Sequence, residues 1–230
     1  VPAVAVHAAE GRPGGVWHEA RAAVEHRRQE TALLQVRARR RADVVVQLLS
    51  PSAAVAEPAV PISLAQAVLK GDQMDEVIRD AVMLGASAVQ PLVAVRSETT
   101  VAALLRGARL DRWRRVALAS VKQSGRAVLP EIRTPLSVEH YLDEPPPAVR
   151  LMFVEPSAGS RAEPFSVLRD APPPADAAII IGPEGGWTET EWKAAADRGA
   201  RLITLGARTL RADAVPVAVL SILQFLWDGA

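Results

Sequence analysis

The sequence predicts an α/β protein whose main domain is built on a largely parallel sheet, preceded by a small β module. Three observations predict it. From Ile62 onward, short apolar runs alternate with segments of helical spacing. Two of those runs, Ile179-Ile180-Ile181 and Leu202-Ile203-Thr204-Leu205, pass into glycine-containing loops and then into helical stretches, the order of a strand–turn–helix unit. Ahead of them, residues 1–60 hold short runs with strand character, parted by polar turns.

In that first stretch, residues 16–24, 31–36 and 44–49 read as strands, and the Pro/Ala/Ser-rich segment at 51–61 reads as a linker. The division expected is therefore 1–60 and 61–230. Ile62 to Val68 is apolar enough for a strand, with Lys70-Gly71-Asp72 as its turn. Met74, Val77, Ile78, Ala81 and Val82 then fall at helical spacing, stopped at Gly85. Residues 88–93 give a second strand, and 111–122 give a helix with Trp113, Val116, Ala117 and Ser120 on one side. Residues 151–154, 179–181 and 202–205 complete the sheet, and an apolar helix ends near Trp227.

Composition narrows the function. A chain of 230 residues can bury a substantial core. It has no cysteine, which excludes disulfides and thiolate metal sites and suits a cytoplasmic protein. The four histidines, at 7, 18, 26 and 140, form no ligand or nucleophile pattern, so no metal is expected. No run is long and apolar enough to span a membrane. The formal net charge is only +1, but arginine clusters within residues 1–42 and again at Arg106, Arg109, Arg112, Arg114 and Arg115 around Trp113. Such clusters suit a phosphate-binding surface, although arginine outnumbers lysine throughout and the bias can equally be compositional.

The candidate site is the pair of glycine loops. Gly182-Pro183-Glu184-Gly185-Gly186 ends the isoleucine strand abruptly, and Gly185 and Gly186 permit angles and close approaches that a side chain forbids. Thr188-Glu189-Thr190-Glu191 then reads as a capping box. In a parallel sheet, the loop Gly206–Asp213 after the next strand would sit beside this one. One loop brings Glu184; the other brings Arg208, Arg211 and Asp213. An ordinary pair of strand-to-helix turns would have the same spacing.

These two stretches resemble the paired motifs of the bacterial 16S ribosomal RNA (uridine-N3) methyltransferases, in the trefoil-knotted SPOUT class. Gly-Pro-Glu-Gly-Gly at 182–186 and Leu-Gly-x-Arg-x-Leu-Arg at 205–211 match in order and separation. So do Leu64-Ala65-Gln66-Ala67, Lys70-Gly71-Asp72-x-Met74, Leu84-Gly85 and Gln123-Ser124-Gly125-Arg126 upstream. The resemblance covers roughly 61–230 and implies a SPOUT-type knotted domain, a homodimer, S-adenosylmethionine (SAM) as methyl donor and no metal. It also implies that the first 60 residues are a PUA-like, RNA-binding module, here divergent or truncated, since the family's opening pattern is missing.

By the same resemblance, the backbone around Val154, Gly182, Gly186, Leu205, Gly206 and Leu210 suits the donor. Glu184 either favours the cationic sulfonium or braces the loop through backbone amides. Arg211 would stabilise charge on uracil oxygens and Asp213 accept the N3 proton, although Asp213 equally suits a helix N-terminus. Lys70, Gln123, Arg126 and Arg208 are candidate contacts to RNA, the substrate being 16S ribosomal RNA or the small ribosomal subunit. Met83 and Lys122 replace usual glutamates, Ala207 a usual proline, Asp213 a usual glutamate and Ala214 a usual threonine. Two alternatives stay open: a SPOUT methyltransferase acting elsewhere on RNA, such as a ribose 2′-oxygen, and a paralogue that binds without turnover.

Overall fold

A computed structural model describes the backbone of residues 4–8, 19–24, 31–39, 44–52 and 228, and both backbone and side chains of 56–156 and 162–227. The chain divides into two compact units, one of 1–57 with 118–129, the other of 58–117 with 130–230.

The first unit holds four antiparallel strands in the order β1 (Val4–Ala8), β2 (Glu19–Val24), β3 (Thr31–Arg39) and β4 (Val44–Ser52). The register of β3 on β4 shifts between Leu33 and Leu34 and again between Val36 and Ala38, the irregularity that bends a strand pair. Strand β1 was not anticipated, and residues 16–18 of the strand expected at 16–24 lie outside the described residues.

The second unit is the α/β domain. Its strands are β5 (Ile62–Ala67), β6 (Ala88–Val93), β7 (Glu131–Ile132), β8 (Leu136–Ser137), β9 (Val149–Phe153), β10 (Glu163–Pro164), β11 (Ala177–Ile181) and β12 (Arg201–Thr204). They run in the order β10-β12-β9-β11-β5-β6-β7, with β8 also on β6, and every described pairing is parallel. This is the expected sheet. The helices of this unit are α1 (Gln73–Met83), α2 (Val101–Arg106), α3 (Arg109–Ser124, of which residues 118–124 belong to the first unit), α4 (Val138–Asp143), α5 (Glu189–Asp197) and α6 (Ala214–Asp228).

Why a continuous isoleucine run becomes a strand is plain from its burial. All five residues of β11 are buried, because helices cover both faces of the sheet. Ile179 and Ile181 join Leu64, Leu151 and Ile203 in a core shared with Val77 of α1 and Val219, Leu220 and Leu223 of α6. Ile180, one residue out of phase, joins Ala65, Met152 and Leu202 against Tyr141 of α4 and Ala195 of α5.

At the edge of the sheet, Arg201 of β12 forms a two-point bond to Glu163 of β10, Nε to Oε1 at 3.1 Å and Nη2 to Oε2 at 2.8 Å. The Arg201 hydrogen bonds hold the Glu163 carboxyl below its ordinary pKa, against a smaller opposing effect of burial. A lowered carboxyl pKa stabilises the fold above the unfolded value near 4 and stops doing so as pH falls through the folded value. Both side chains are part-exposed, so the pair is worth no more than about 1 kcal/mol. Glu163→Gln should therefore lower the urea midpoint slightly at neutral pH and leave it unchanged at about pH 2; an equal effect at both pH values would show that the charge is not the cause.

Candidate active site

Because the strands are parallel, their exits lie along one edge of the sheet. Three neighbouring strands, β12, β9 and β11, there release residues 205–213, 154–156 and 182–187 respectively. The loops after β11 and β12 were expected side by side. They are not, because β9 lies between the two strands and the exit of β9 becomes the middle loop. Val154, just beyond β9, donates its N–H to Ile203 O at 2.9 Å.

The three loops enclose a cleft of about 410 Å3. Val154, Gly182, Glu184, Gly186, Leu205 and Leu210 line it, and so do Arg208, Arg211 and Asp213. Gly206 lies within the third loop at φ +80° and does not line the cleft. Most of the wall is backbone and apolar surface, and the charged groups stand at the rim.

The glycine loop is shaped by close approach. Gly186 N–H donates to Pro183 O at 2.9 Å, closing a turn with Gly186 at φ +69°. A Cβ on Gly186 would lie 2.6 Å from Glu155 Oε1, the movable end of a flexible side chain, so it is the left-handed backbone angle that favours glycine here. Gly185 was expected to need an unusual backbone angle; its φ is not positive. It matters instead as an acceptor, since Arg96 Nη1 donates to Gly185 O at 2.5 Å. Below, the Trp187 indole donates to Phe153 O at 2.9 Å and packs under Gly182, whose Cβ would come 3.1 Å from the ring. That tryptophan braces two loops. Gln66, fully buried in β5, donates its amide to Gly182 O at 3.2 Å and fixes the start of the same loop.

Glu184 shows the bracing alternative. Its Oε1 accepts the Lys70 backbone N–H at 2.9 Å. The Gln73 amide, with its nitrogen toward Glu184, donates to Oε1 at 2.8 Å, and its oxygen accepts from Arg211 Nη2 at 3.0 Å. Arg211 in turn grips Asp213 at two points, Nε to Oδ1 at 3.0 Å and Nη2 to Oδ2 at 2.9 Å. A chain of polar groups thus crosses the rim from Lys70 through Glu184 and Gln73 to Arg211 and Asp213. The Arg211 hydrogen bonds pull the Asp213 pKa down, and the same bonds push that of Arg211 up. Asp213 is therefore held ionised, and is a weaker proton acceptor than a free carboxylate. It also directly precedes α6, where a carboxylate meets the positive end of the helix.

The other predicted residues do not line the cleft. Lys70 Nζ pairs with Glu98 at 2.6 Å. Gln123 is exposed near the end of α3. Arg126 is 7% exposed and ion-paired with Glu57, so its guanidinium is not offered at the surface as an RNA contact requires. Sequence reasoning missed Gln73, Glu155, Arg96 and the contact of Gln66. For Gln66 a signal existed: a polar residue amid the apolar run 62–69 requires a partner.

The chain matches the sequence profile of the RNA methyltransferase domain over residues 56–224. It is 30% identical over 166 residues to ribosomal RNA small subunit methyltransferase E of Mesomycoplasma hyopneumoniae, covering 72% of this chain and 70% of that protein. It belongs to the ribosomal RNA small subunit methyltransferase E family. The protein of that name in Synechocystis is 32% identical over 191 residues, covering 80% of this chain and 59% of its own length. The crystal structure of a ribosomal RNA small subunit methyltransferase E from Neisseria gonorrhoeae, bound to S-adenosyl methionine, superposes with a TM-score of 0.76 at 28% identity, covering 86% of this chain and 80% of that one. The chain thus spans about six-tenths of the Synechocystis relative and seven-tenths of the Mesomycoplasma one. Among the described residues, no group of three or more acidic or histidine side chains could hold a metal ion, and no helix is long and apolar enough to cross a membrane.

The cleft depends on Glu191 as well. The residue is 8% exposed and its carboxylate accepts three bonds, from Val95 N–H at 2.8 Å, Thr188 N–H at 2.9 Å and the Thr188 hydroxyl at 2.8 Å. It closes the predicted capping box and ties the exit of β6 to the start of α5. Glu191→Ala strands two backbone donors, and should cost about 2–3 kcal/mol in chemical denaturation. Thr188→Ala, which removes one cap, should cost about 1 kcal/mol; equal losses would mean that the tie to Val95 carries no weight.

Proposed function

We propose that this chain transfers a methyl group from SAM to uracil N3 of a uridine in small-subunit ribosomal RNA. One observation carries the reading: Arg211, held by Asp213 and Gln73, stands at the rim of a glycine-walled cleft formed by three parallel strand exits. Membership of a family whose Neisseria relative binds SAM supports the donor.

The cleft fits that donor. Residues 182, 186 and 205 bring backbone to its wall, and the positive φ of Gly186 keeps that position free of a side chain. Val154, Gly182, Gly186, Leu205, Gly206 and Leu210 would hold the adenosine and methionine portions. Glu184 and Glu155 line the cleft and favour a cation there. SAM supplies a methyl group on a sulfonium; its S–CH3 bond breaks as the N3–CH3 bond forms, leaving neutral S-adenosylhomocysteine.

The chain's own residues prepare the acceptor. Arg211 draws charge onto the uracil oxygens and so makes the N3 proton more acidic. Asp213 takes that proton and, with its pKa lowered, passes it to water. Its two-point grip also sets the plane of the Arg211 guanidinium. Arg208, exposed on the same loop, meets a phosphate, and Lys70 and Gln123 are further RNA contacts. Arg126 is left out of this set, since it is buried. The first unit we read as the PUA-like module that adds RNA contact.

Arg211→Ala should leave SAM affinity within a few-fold in calorimetry and lower transfer by about 100- to 1,000-fold. Nucleosides from cells lacking the protein should lose 3-methyluridine by mass spectrometry. Loss of a 2′-O-methylated nucleoside instead would move the reaction to the ribose. Full turnover by the variant would end the assigned role, and no SAM binding by the wild-type chain would end the whole reading.

We further propose a homodimer through α6. Phe225 is 78% exposed and Ile222 36%, one turn apart on that helix, an apolar face that favours burial against a second copy. Phe225→Asp should yield monomers in light scattering where the wild-type chain gives dimers; a monomeric wild-type chain would refute the contact.

A further inference from the structure

A second cavity, of about 340 Å3, opens farther along the carboxyl edge, between the exits of β5 and β6 and the turn joining α2 to α3. Its floor is apolar, formed by Val68, Leu69, Ala103 and Leu104, and its rim carries Lys70, Arg109 and Glu98. The walls are tied in place. Arg112, one turn beyond Arg109 on α3, bonds Asp72 at 2.8 Å and Asp75 at 2.5 Å, fixing the start of α3 to the turn that follows Lys70. The cavity also adjoins the cleft, because the Lys70 backbone N–H is bonded to Glu184 at the cleft rim.

The charges on the rim are available. Arg109 is exposed, and among the described residues no acid pairs with it. Lys70 and Glu98 form an ion pair whose side chains are 57% and 67% exposed, a contact too weak to withhold the lysine from a stronger anion. An apolar floor beneath a rim of two cations and one acid suits a flat, uncharged ring carrying a phosphate. That is a nucleotide, and the apolar floor is what a surface that only tracks phosphates would lack.

We propose that this cavity receives a nucleotide of the same RNA strand that delivers the target uridine, its base on the Ala103 and Leu104 floor and its phosphate between Arg109 and Lys70. The inference rests on the RNA methyltransferase reading above and deepens it. The target base would enter the cleft while its neighbour is held beyond the Lys70–Glu184 partition. Holding a flanking nucleotide splays the strand and presents a single unstacked base, which a reaction at a ring nitrogen requires.

The test uses the full chain and a fluorescein-labelled, uridine-containing single-stranded RNA, titrated by anisotropy at several salt concentrations. Arg109→Glu should weaken binding about tenfold and flatten the slope of log affinity against log salt by about 0.7, the loss of one single-strand phosphate contact. Ala103→Phe, which fills the floor without changing charge, should weaken binding and leave the slope alone. Arg133→Glu, the same charge change on the rim of a cavity beside the strand starts, should do neither. Unchanged affinity in Arg109→Glu overturns the proposal, and so does an equal loss in Arg133→Glu, which would show that only net charge matters. SAM calorimetry and methyl transfer, run in parallel on the wild-type chain, test the functional reading separately: their failure sinks that reading, while the binding titration still decides the cavity.

Discussion

The site depends on where β11 enters the sheet. It pairs with β9 on one side and β5 on the other, so the two halves of the sheet meet across it. That strand is buried on both faces and carries no polar side chain of its own. Its polar groups are the amides and carbonyls of the loop it releases, and loop backbone outside a ladder must find other partners. Gly182 O is met by Gln66 and Gly185 O by Arg96, while a turn within the loop occupies Gly186 N–H. The loop is thus fixed by its surroundings at both ends, and Gly182 and Gly186 bring backbone without side chains to their part of the cleft wall.

The charged groups divide into two kinds by burial, and their magnitudes separate their tasks. Glu191 is almost wholly enclosed, and its three bonds are needed because an unmet buried donor costs about 1–3 kcal/mol. Arg211 and Asp213 form a two-point bond of good geometry, yet the Arg211 side chain is 73% exposed. Water and salt reduce such a pair to a small contribution to stability. What the pair does well is orientation: two parallel bonds define the guanidinium plane, and Gln73 adds a third point. An exposed arginine held this firmly is better suited to meeting a ligand than to holding a fold.

Much of this was legible in the sequence, and for identifiable reasons. A run of three isoleucines, a glycine turn and a capping box are local signals, and all three lie where they were read. The long helices also came through, because their apolar faces repeat over several turns. Strands β7, β8 and β10 have two residues each, too short for any periodicity, and α2 and α4 have six. The order of strands was not legible either. Spacing along a chain says nothing about which strand lies between two others, so the loop after β9 was not seen as the middle wall. The burial of Arg126 was hidden likewise, since its partner Glu57 is 69 residues away.

The departures from the family's pattern bear on different parts of the molecule. Met83 is 40% exposed at the end of α1 and Lys122 is half-buried on α3; neither lines the cleft. Ala207 sits exposed in the third loop beside cleft residues, without lining the cleft itself. Asp213 is the substitution that touches the site. Replacing glutamate by aspartate withdraws the carboxylate by one methylene, a loss that ordinarily breaks contact with a partner elsewhere in the fold. Here the partner is two residues away on the same loop, and the shorter side chain still reaches both Nε and Nη2 of Arg211 within 3.0 Å. Such a local pair depends on no distant element, so the guanidinium plane is set within the loop itself. The shortened acid therefore preserves the orientation of Arg211, and what it gives up is reach beyond it.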